Sequence, residues 1–357
     1  MLRIIGLSLL LLPGIFPAQV VSPEVHSDRT VTFRLQAPKA TEVGFYGDWM
    51  PVGTLEPMTK DAEGVWSFTT KSLAPSIYIY TFSLDGLTMA DPVNPRIKLR
   101  ARTSASMVEV PGETPSLWDA RDVPHGSVEI NYQKSKALQN ETRSFWVYTP
   151  PGYERDQKQT YPVLYLLHGS NDTAGGWVLA GQANYILDNL LAEKKLVPMI
   201  VVMPFGHAVP FGSARPVEST NTTVFEQYLL QDVLPLVESK YRVRKDRANR
   251  AIAGLSMGGA QSLAIGVGHS DLFSAVGAFS AGAPSDFESR LSGLSKNGLK
   301  LFWISCGTED ALLKRSQELD ATLKKNGITH TYRLTPGAHT FTVWRQNLGE
   351  FAPLLFR

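Results

Sequence analysis

The chain has 357 residues, 43% hydrophobic and 19% charged, the composition of a soluble globular protein with room for two domains. Its 35 basic and 33 acidic residues leave a formal charge of +2, too small to argue for nucleic acid or an acidic membrane as partner. The single cysteine, Cys306, excludes an intramolecular disulfide, and the apolar run Leu301–Ser305 before it marks a small buried hydrophobe.

In chain order, residues 1–18 read as a signal peptide. Arg3 is followed by an apolar core through Leu12 and then by Pro13 and Gly14, with cleavage expected after Ala18. This predicts an exported protein, periplasmic or secreted. No other segment approaches transmembrane length, so no membrane insertion is expected after cleavage. Residues 25–110 read as an all-β sandwich. Val31–Leu35, Val43–Tyr46 and Trp66–Thr69 alternate, Ile77–Phe82 is β-branched and aromatic, and Asp85-Gly86 supplies a turn. A linker rich in Pro, Gly and polar residues follows at 111–124.

From 125 to 357 the pattern changes to buried strands alternating with helices. Strands are expected near 163–167, 199–203, 251–253, 275–279, 301–305 and 331–334, after a β-rich opening at 144–148. Helices are expected near 186–194, 225–239, 259–267 and 312–325. Near-continuous apolar strands between helices imply a mostly parallel sheet covered on both faces. Ligands of such a sheet bind at the strands' carboxyl ends. The densest basic run, from Arg242 to Arg250, reads as a solvated helix-to-strand connection.

The chemistry concentrates at Gly254-Leu255-Ser256-Met257-Gly258, where a short apolar strand runs into a helical stretch. That pattern describes a nucleophile elbow, with glycines where the backbone passes close to its neighbours. A serine hydroxyl needs a base, and the base needs a third group to fix its tautomer. In this fold the order is Ser, acid, His. Only His269, His330 and His339 follow Ser256. His269 ends the elbow helix and His330 lies within a strand, whereas His339 is in the loop after the last strand, where a base belongs. Asp310 and Glu309 compete for the acid's place after the strand 301–305; Asp310 is preferred. Asp271 follows a helix, and Asp286 sits in a loop that shapes the cleft. Two backbone N–H donors are needed for an oxyanion. Met257 is expected to give one, and the loop Leu166–Asp172 the other, through Ser170 or alternatively Gly169. A metal held by His168 and Asp172 lacks a further ligand at suitable spacing.

These segments resemble the putative-esterase (esterase-D-like) family, and within it the feruloyl and acetyl-xylan esterases of carbohydrate esterase family 1. The matching stretches are Leu166–Asp172 with Trp177, Ala183–Asn189, Ala251–Gln261, Asp271–Phe273, Cys306–Asp310 and Pro336–Arg345. Ala338 and Phe341 depart from the family pattern, which often has Gly and Trp there. The resemblance implies an α/β-hydrolase fold, Ser256, Asp310 and His339 as the triad, and Ser170 and Met257 as oxyanion donors. It calls for no cofactor and no metal. It also implies an acylated polysaccharide or oligosaccharide as substrate, with Trp177, Phe341 and Trp344 the aromatic candidates for contacting it. Residues 25–110 are similar to the early-set, Ig-like domain preceding such catalytic domains, through Gly47-Asp48-Trp49, Pro57-Met58, Gly64-Val65-Trp66 and Asp91-Pro92-Val93-Asn94. Trp49 could stack on a sugar; packing of the sandwich is the preferred role for it and for Trp66. Alternatives are a siderophore (enterochelin-type) esterase with Arg215 and Arg345 around its cleft, an acyltransferase to sugars, and a carbohydrate-binding protein with a vestigial hydrolase domain.

Overall fold

The computed structural model describes residues 20–209, 218–294 and 298–357; the expected signal peptide at 1–18 and Arg215 lie outside them. Two antiparallel sheets make up the N-terminal part. Val31–Gln36 pairs with Val65–Thr69, and the facing sheet is built on Val43–Gly47, Ser76–Leu84 and Ser104–Val110. Val31, Phe33 and Leu35 from the first meet Val43, Phe45, Tyr80 and Phe82 from the second in one apolar cluster. Period-two alternation thus becomes a sandwich core. The expected turn closes the hairpin at Asp85 and Gly86, with φ of 45° and 84°. Both tryptophans pack the sandwich. Trp66 Nε1 donates to Ala37 O at 2.9 Å, and Trp49 is set among Phe33, Phe45 and Tyr78.

Residues 111–126 carry no helix or strand, yet they are tied down. Asn189 Nδ2 donates to Leu117 O and Asp119 O, and buried Asp188 accepts from Tyr148 Oη and Gly126 N–H.

The remainder forms one eight-stranded sheet. Its order is Ser127–Ser135, Glu141–Thr149, Ile200–Pro204, Val163–Leu167, Arg250–Leu255, Ala275–Phe279, Leu301–Gly307 and Thr331–Thr335. The first two strands are antiparallel and the other six run parallel. Helices cover both faces with two separate apolar clusters, the covered, mostly parallel sheet that the strand pattern predicts and the α/β-hydrolase arrangement that the resemblance implies. The helix expected at 225–239 is divided: Glu218–Tyr228 and Leu234–Lys240 flank a π turn at Leu229–Val233. Pro235 has no N–H to donate one turn back, and the ladder opens just before it. There Asp232 turns inward and accepts from Ser135 Oγ and from the N–H groups of Lys136 and Ala137.

The helix Phe341–Phe351 joins the sandwich to the large sheet. Arg345 on it is fully buried, which corrects the expectation that it faces a cleft. Its guanidinium donates to Ala180 O at 3.2 Å, Ser76 Oγ at 3.2 Å and Ile77 O at 2.6 Å, and burial lowers its pKa to about 10. Arg345→Ala would strand three acceptors, at about 1 kcal/mol or more each, and open a cavity. The expected loss of stability is roughly 3–5 kcal/mol, read as a lower urea midpoint at unchanged slope.

Candidate active site

Four carboxyl ends of the parallel strands converge, after Leu167, Leu255, Gly307 and Thr335. Ser256 sits between the strand Arg250–Leu255 and the helix Met257–Gly268, at φ 53° and ψ −118°. This strained conformation lifts the hydroxyl out of the sheet. The flanking glycines are there for close approach. A Cβ on Gly258 would lie 2.6 Å from His168 O, and one on Gly254 would lie 2.5 Å from the Gly258 backbone.

Ser256 Oγ lies 2.9 Å from His339 Nε2. His339 Nδ1 lies 3.0 and 2.9 Å from the two oxygens of Asp310. With Nδ1–H donating to the carboxylate, Nε2 is left to accept the serine proton. The Asp310 side chain is fully buried and His339 is 30% exposed, so the imidazole is reachable while its carboxylate is not. Burial pushes the Asp310 pKa up, but hydrogen bonds from His339, Leu312 N–H and Ser280 outweigh it. The carboxyl is held below its ordinary value. Glu309 is exposed, which separates the two acid candidates. His269 pairs with Glu226 at 2.7 Å and His330 with Asp320 at 2.8 Å, both away from Ser256. Asp286 pairs with Arg290 and lines a cleft beside the serine.

Met257 opens its helix, so its N–H is a first-turn donor without an intrahelical acceptor. Ser170 follows Gly169 at the turn over the elbow. The loop is fixed from beneath by His168, whose Nδ1–H donates to Gly169 O while its Nε2 accepts from Gly206 N–H, both at 2.8 Å. Burial lowers the His168 pKa, consistent with this neutral tautomer, and both ring nitrogens are occupied. The sandwich holds the same loop from the other side. Ala101 N–H donates to Asn171 O at 3.0 Å, and Lys98 pairs with Asp172, both side chains buried. Cys306, also buried, has its thiol pushed up to about 12 by burial.

The aromatic candidates divide. Trp177 is wholly inaccessible, its Nε1–H given to Leu167 O; it is a core residue beneath the site, which corrects its reading as a substrate contact. Phe341 and Trp344 are largely buried but border a cavity at Ser256. Trp344 meets the His339 ring edge-on at 4.9 Å and donates to Ser280 Oγ. Ser280, whose side chain also helps to lower the Asp310 pKa, escapes a sequence reading. Its only signal is its place just past the carboxyl end of the strand beside Leu301–Gly307.

Two cavities meet at Ser256. One, of about 520 Å³, is lined by Met257, Ala260, Ala281, Pro284, Leu312 and Arg315 among others. The other, of about 290 Å³, is bordered by Ser170, His339 and Phe341, with its far wall supplied by the sandwich. The arrangement can activate a hydroxyl, receive an oxyanion and house groups on either side of a carbonyl.

The family model described as "Putative esterase" matches residues 135–354. An endo-1,4-beta-xylanase/feruloyl esterase of Xylanibacter ruminicola is 30% identical over 94% of this chain, which spans 46% of that relative's length. A CE1 ferulic acid esterase of the anaerobic fungus Anaeromyces mucronatus superimposes with a TM-score of 0.62 at 25% identity, covering 68% of this chain and 96% of that one. The enterobactin esterase of Shigella flexneri shares the fold over 91% of this chain and 92% of its own, with a TM-score of 0.69 at 21% identity. With its family model spanning most of the large sheet and the elbow at that sheet's centre, the chain belongs to the putative esterase family.

Proposed function

We propose that the chain is an exported serine carboxylic-ester hydrolase that removes feruloyl, or alternatively acetyl, groups from plant polysaccharide such as xylan or its oligosaccharides. The observation that carries this is the file Ser256–His339–Asp310, hydrogen-bonded at about 3 Å throughout and opening on both cavities. Ser256 Oγ attacks the ester carbonyl as His339 takes its proton, and the N–H groups of Ser170 and Met257 hold the oxyanion. The C–O bond to the alcohol then breaks, and the alcohol leaves with the proton from His339. Water, deprotonated by the same imidazole, releases the acid and restores Ser256.

The feruloyl preference is supported by the feruloyl esterases among the relatives and by the size of the larger cavity. Initial rates on methyl ferulate and on acetylated xylan test it. Turnover of methyl ferulate with little release of acetate is expected. Acetate release alone would move the assignment to acetyl esters, and no turnover of either would end it. Export rests on the pattern of residues 1–18, and fractionation of cells expressing the full chain checks it. A siderophore esterase remains a second reading, favoured by Arg315 in one cavity and Arg100 in the other. Hydrolysis of an iron-chelate ester in place of ferulate would select it.

A further inference from the structure

Among the described residues Lys98 is the only buried lysine. It lies on the sandwich strand Ile97–Leu99, where alternation turns it inward while Leu99 stays 48% exposed. A buried ammonium needs a partner for its charge. Lys98 finds Asp172, also buried, on the loop after the strand Val163–Leu167. Burial pulls the Lys98 pKa down against the attraction of that carboxylate. The ammonium also stands 5.2 Å from the centre of the Phe341 ring, a cation–π contact. Phe341 opens the helix that follows the His339 loop. One sandwich side chain thus meets both the loop of an oxyanion donor and the helix after the base.

A buried ion pair adds little to stability, since apolar side chains of similar volume commonly do as well in its place. Its place in the fold suits this pair to another task. Residues 169–172 form one tight turn, closed by Asp172 N–H donating to Gly169 O at 3.0 Å, and Ser170 stands inside it. His168 holds the turn at its first residue, through Gly169 O. The sandwich holds its last two: Ala101 N–H donates to Asn171 O at 3.0 Å, and Lys98 pairs with Asp172. Moving the Asp172 carboxylate therefore tilts the peptide planes before it, the N–H of Ser170 among them. A donor aimed at a developing charge tolerates little of that, and a misplacement of about 1 Å can cost about a hundredfold in rate.

We propose that Lys98 is a positioning residue: through Asp172 the sandwich sets the turn that carries Ser170, so the oxyanion site is complete only with the sandwich docked. This rests on the reading of the chain as a serine ester hydrolase. Lys98 itself takes no part in bond making or breaking.

The test uses Lys98→Met, and Lys98→Met combined with Asp172→Asn, both in the full chain. The double variant strands no buried charge and is expected to fold even where the single one does not. On methyl ferulate its kcat should fall about tenfold to a hundredfold, with KM within about twofold of wild type. A phenethyl trifluoromethyl ketone supplies a readout that a merely structural role would not move. Ser256 Oγ adds to its carbonyl carbon, the C=O π pair becomes an oxyanion, and the serine proton passes to His339. The Ki of this ketone should rise by the factor that kcat falls. A lower unfolding midpoint with kcat and Ki both within about twofold of wild type would overturn the proposal. So would a raised KM at unchanged kcat, which would make Lys98 a binding residue instead. Failure of the function proposed above shows separately, in wild type. If wild type hydrolyses para-nitrophenyl acetate but not methyl ferulate, only the feruloyl assignment falls, and kcat on the acetate decides Lys98. If it hydrolyses neither, that function falls outright. The ketone's Ki then decides Lys98 alone, weaker binding by the double variant supporting the proposal and equal binding overturning it.

Discussion

Ser256→Ala is expected to lower kcat on any ester the chain hydrolyses by about 10⁵–10⁶-fold, the scale on which a nucleophile in a triad counts. The substitution removes one oxygen and little else. Alanine keeps the Cβ at the strained φ of 53°, so the elbow is no more and no less strained than before. The backbone bonds that hold it, Ser256 N–H to Phe279 O and Ala260 N–H to Ser256 O, are untouched. Stability should stay within about 0.5 kcal/mol of wild type, and KM should change little, because the cavities and both oxyanion donors remain. The residual rate would come from those donors and from binding alone. Rapid-mixing kinetics on methyl ferulate add a second readout: the acyl-enzyme burst should vanish with the oxygen. A variant retaining a tenth of wild-type activity would remove Ser256 as nucleophile and leave direct attack by water, with His339 as base.

Much of the site is legible because it is local. Gly254, Ser256 and Gly258 lie within five residues, and their spacing alone predicts the turn. His339 emerges by elimination, since only three histidines follow the serine; of the other two, His269 caps the end of the elbow helix, and His330, expected within the last strand, lies just before it. The parallel strands are legible because burial on both faces removes alternation, as in Val163–Leu167. What escapes is what tertiary adjacency decides. Lys98 and Asp172 are 74 residues apart, and no pattern in either segment announces their pairing. Ser280 reaches Asp310 only because two strands lie side by side. Trp177 and Arg345 carry ambiguous chemistry, since a large ring or a long cation serves a wall or a core equally well. Their packing sends both inward. The helix Phe341–Phe351 hides behind the motif that ends at Arg345, although Phe341, Trp344, Leu348 and Phe351 repeat at helical spacing and are all buried.

Asp310→Asn should cost about 10⁴-fold in kcat with the fold intact. In the wild type both carboxylate oxygens accept from His339 Nδ1–H, which commits Nε2 to accepting from Ser256. An asparagine can turn its amide N–H₂ toward Nδ1, and the imidazole then answers with the opposite tautomer. Its proton now sits on Nε2 facing Ser256 Oγ, where it cannot take another. The imidazolium formed during attack also loses its counter-charge. Acid sensitivity gives an independent check. Because the folded carboxyl lies below its ordinary value, Asp310 contributes stability above its unfolded pKa of about 3.9. That contribution is lost as pH falls through the lower folded value. Asp310 itself should therefore stay ionised, and competent to orient His339, throughout the mildly acid range. The variant should lack this part of the acid-induced loss of stability while showing its full rate defect at neutral pH. Recovery of the rate at high pH, where hydroxide can replace the imidazole as base, would point to the tautomer; a defect unchanged by alkali would instead point to a displaced His339 ring.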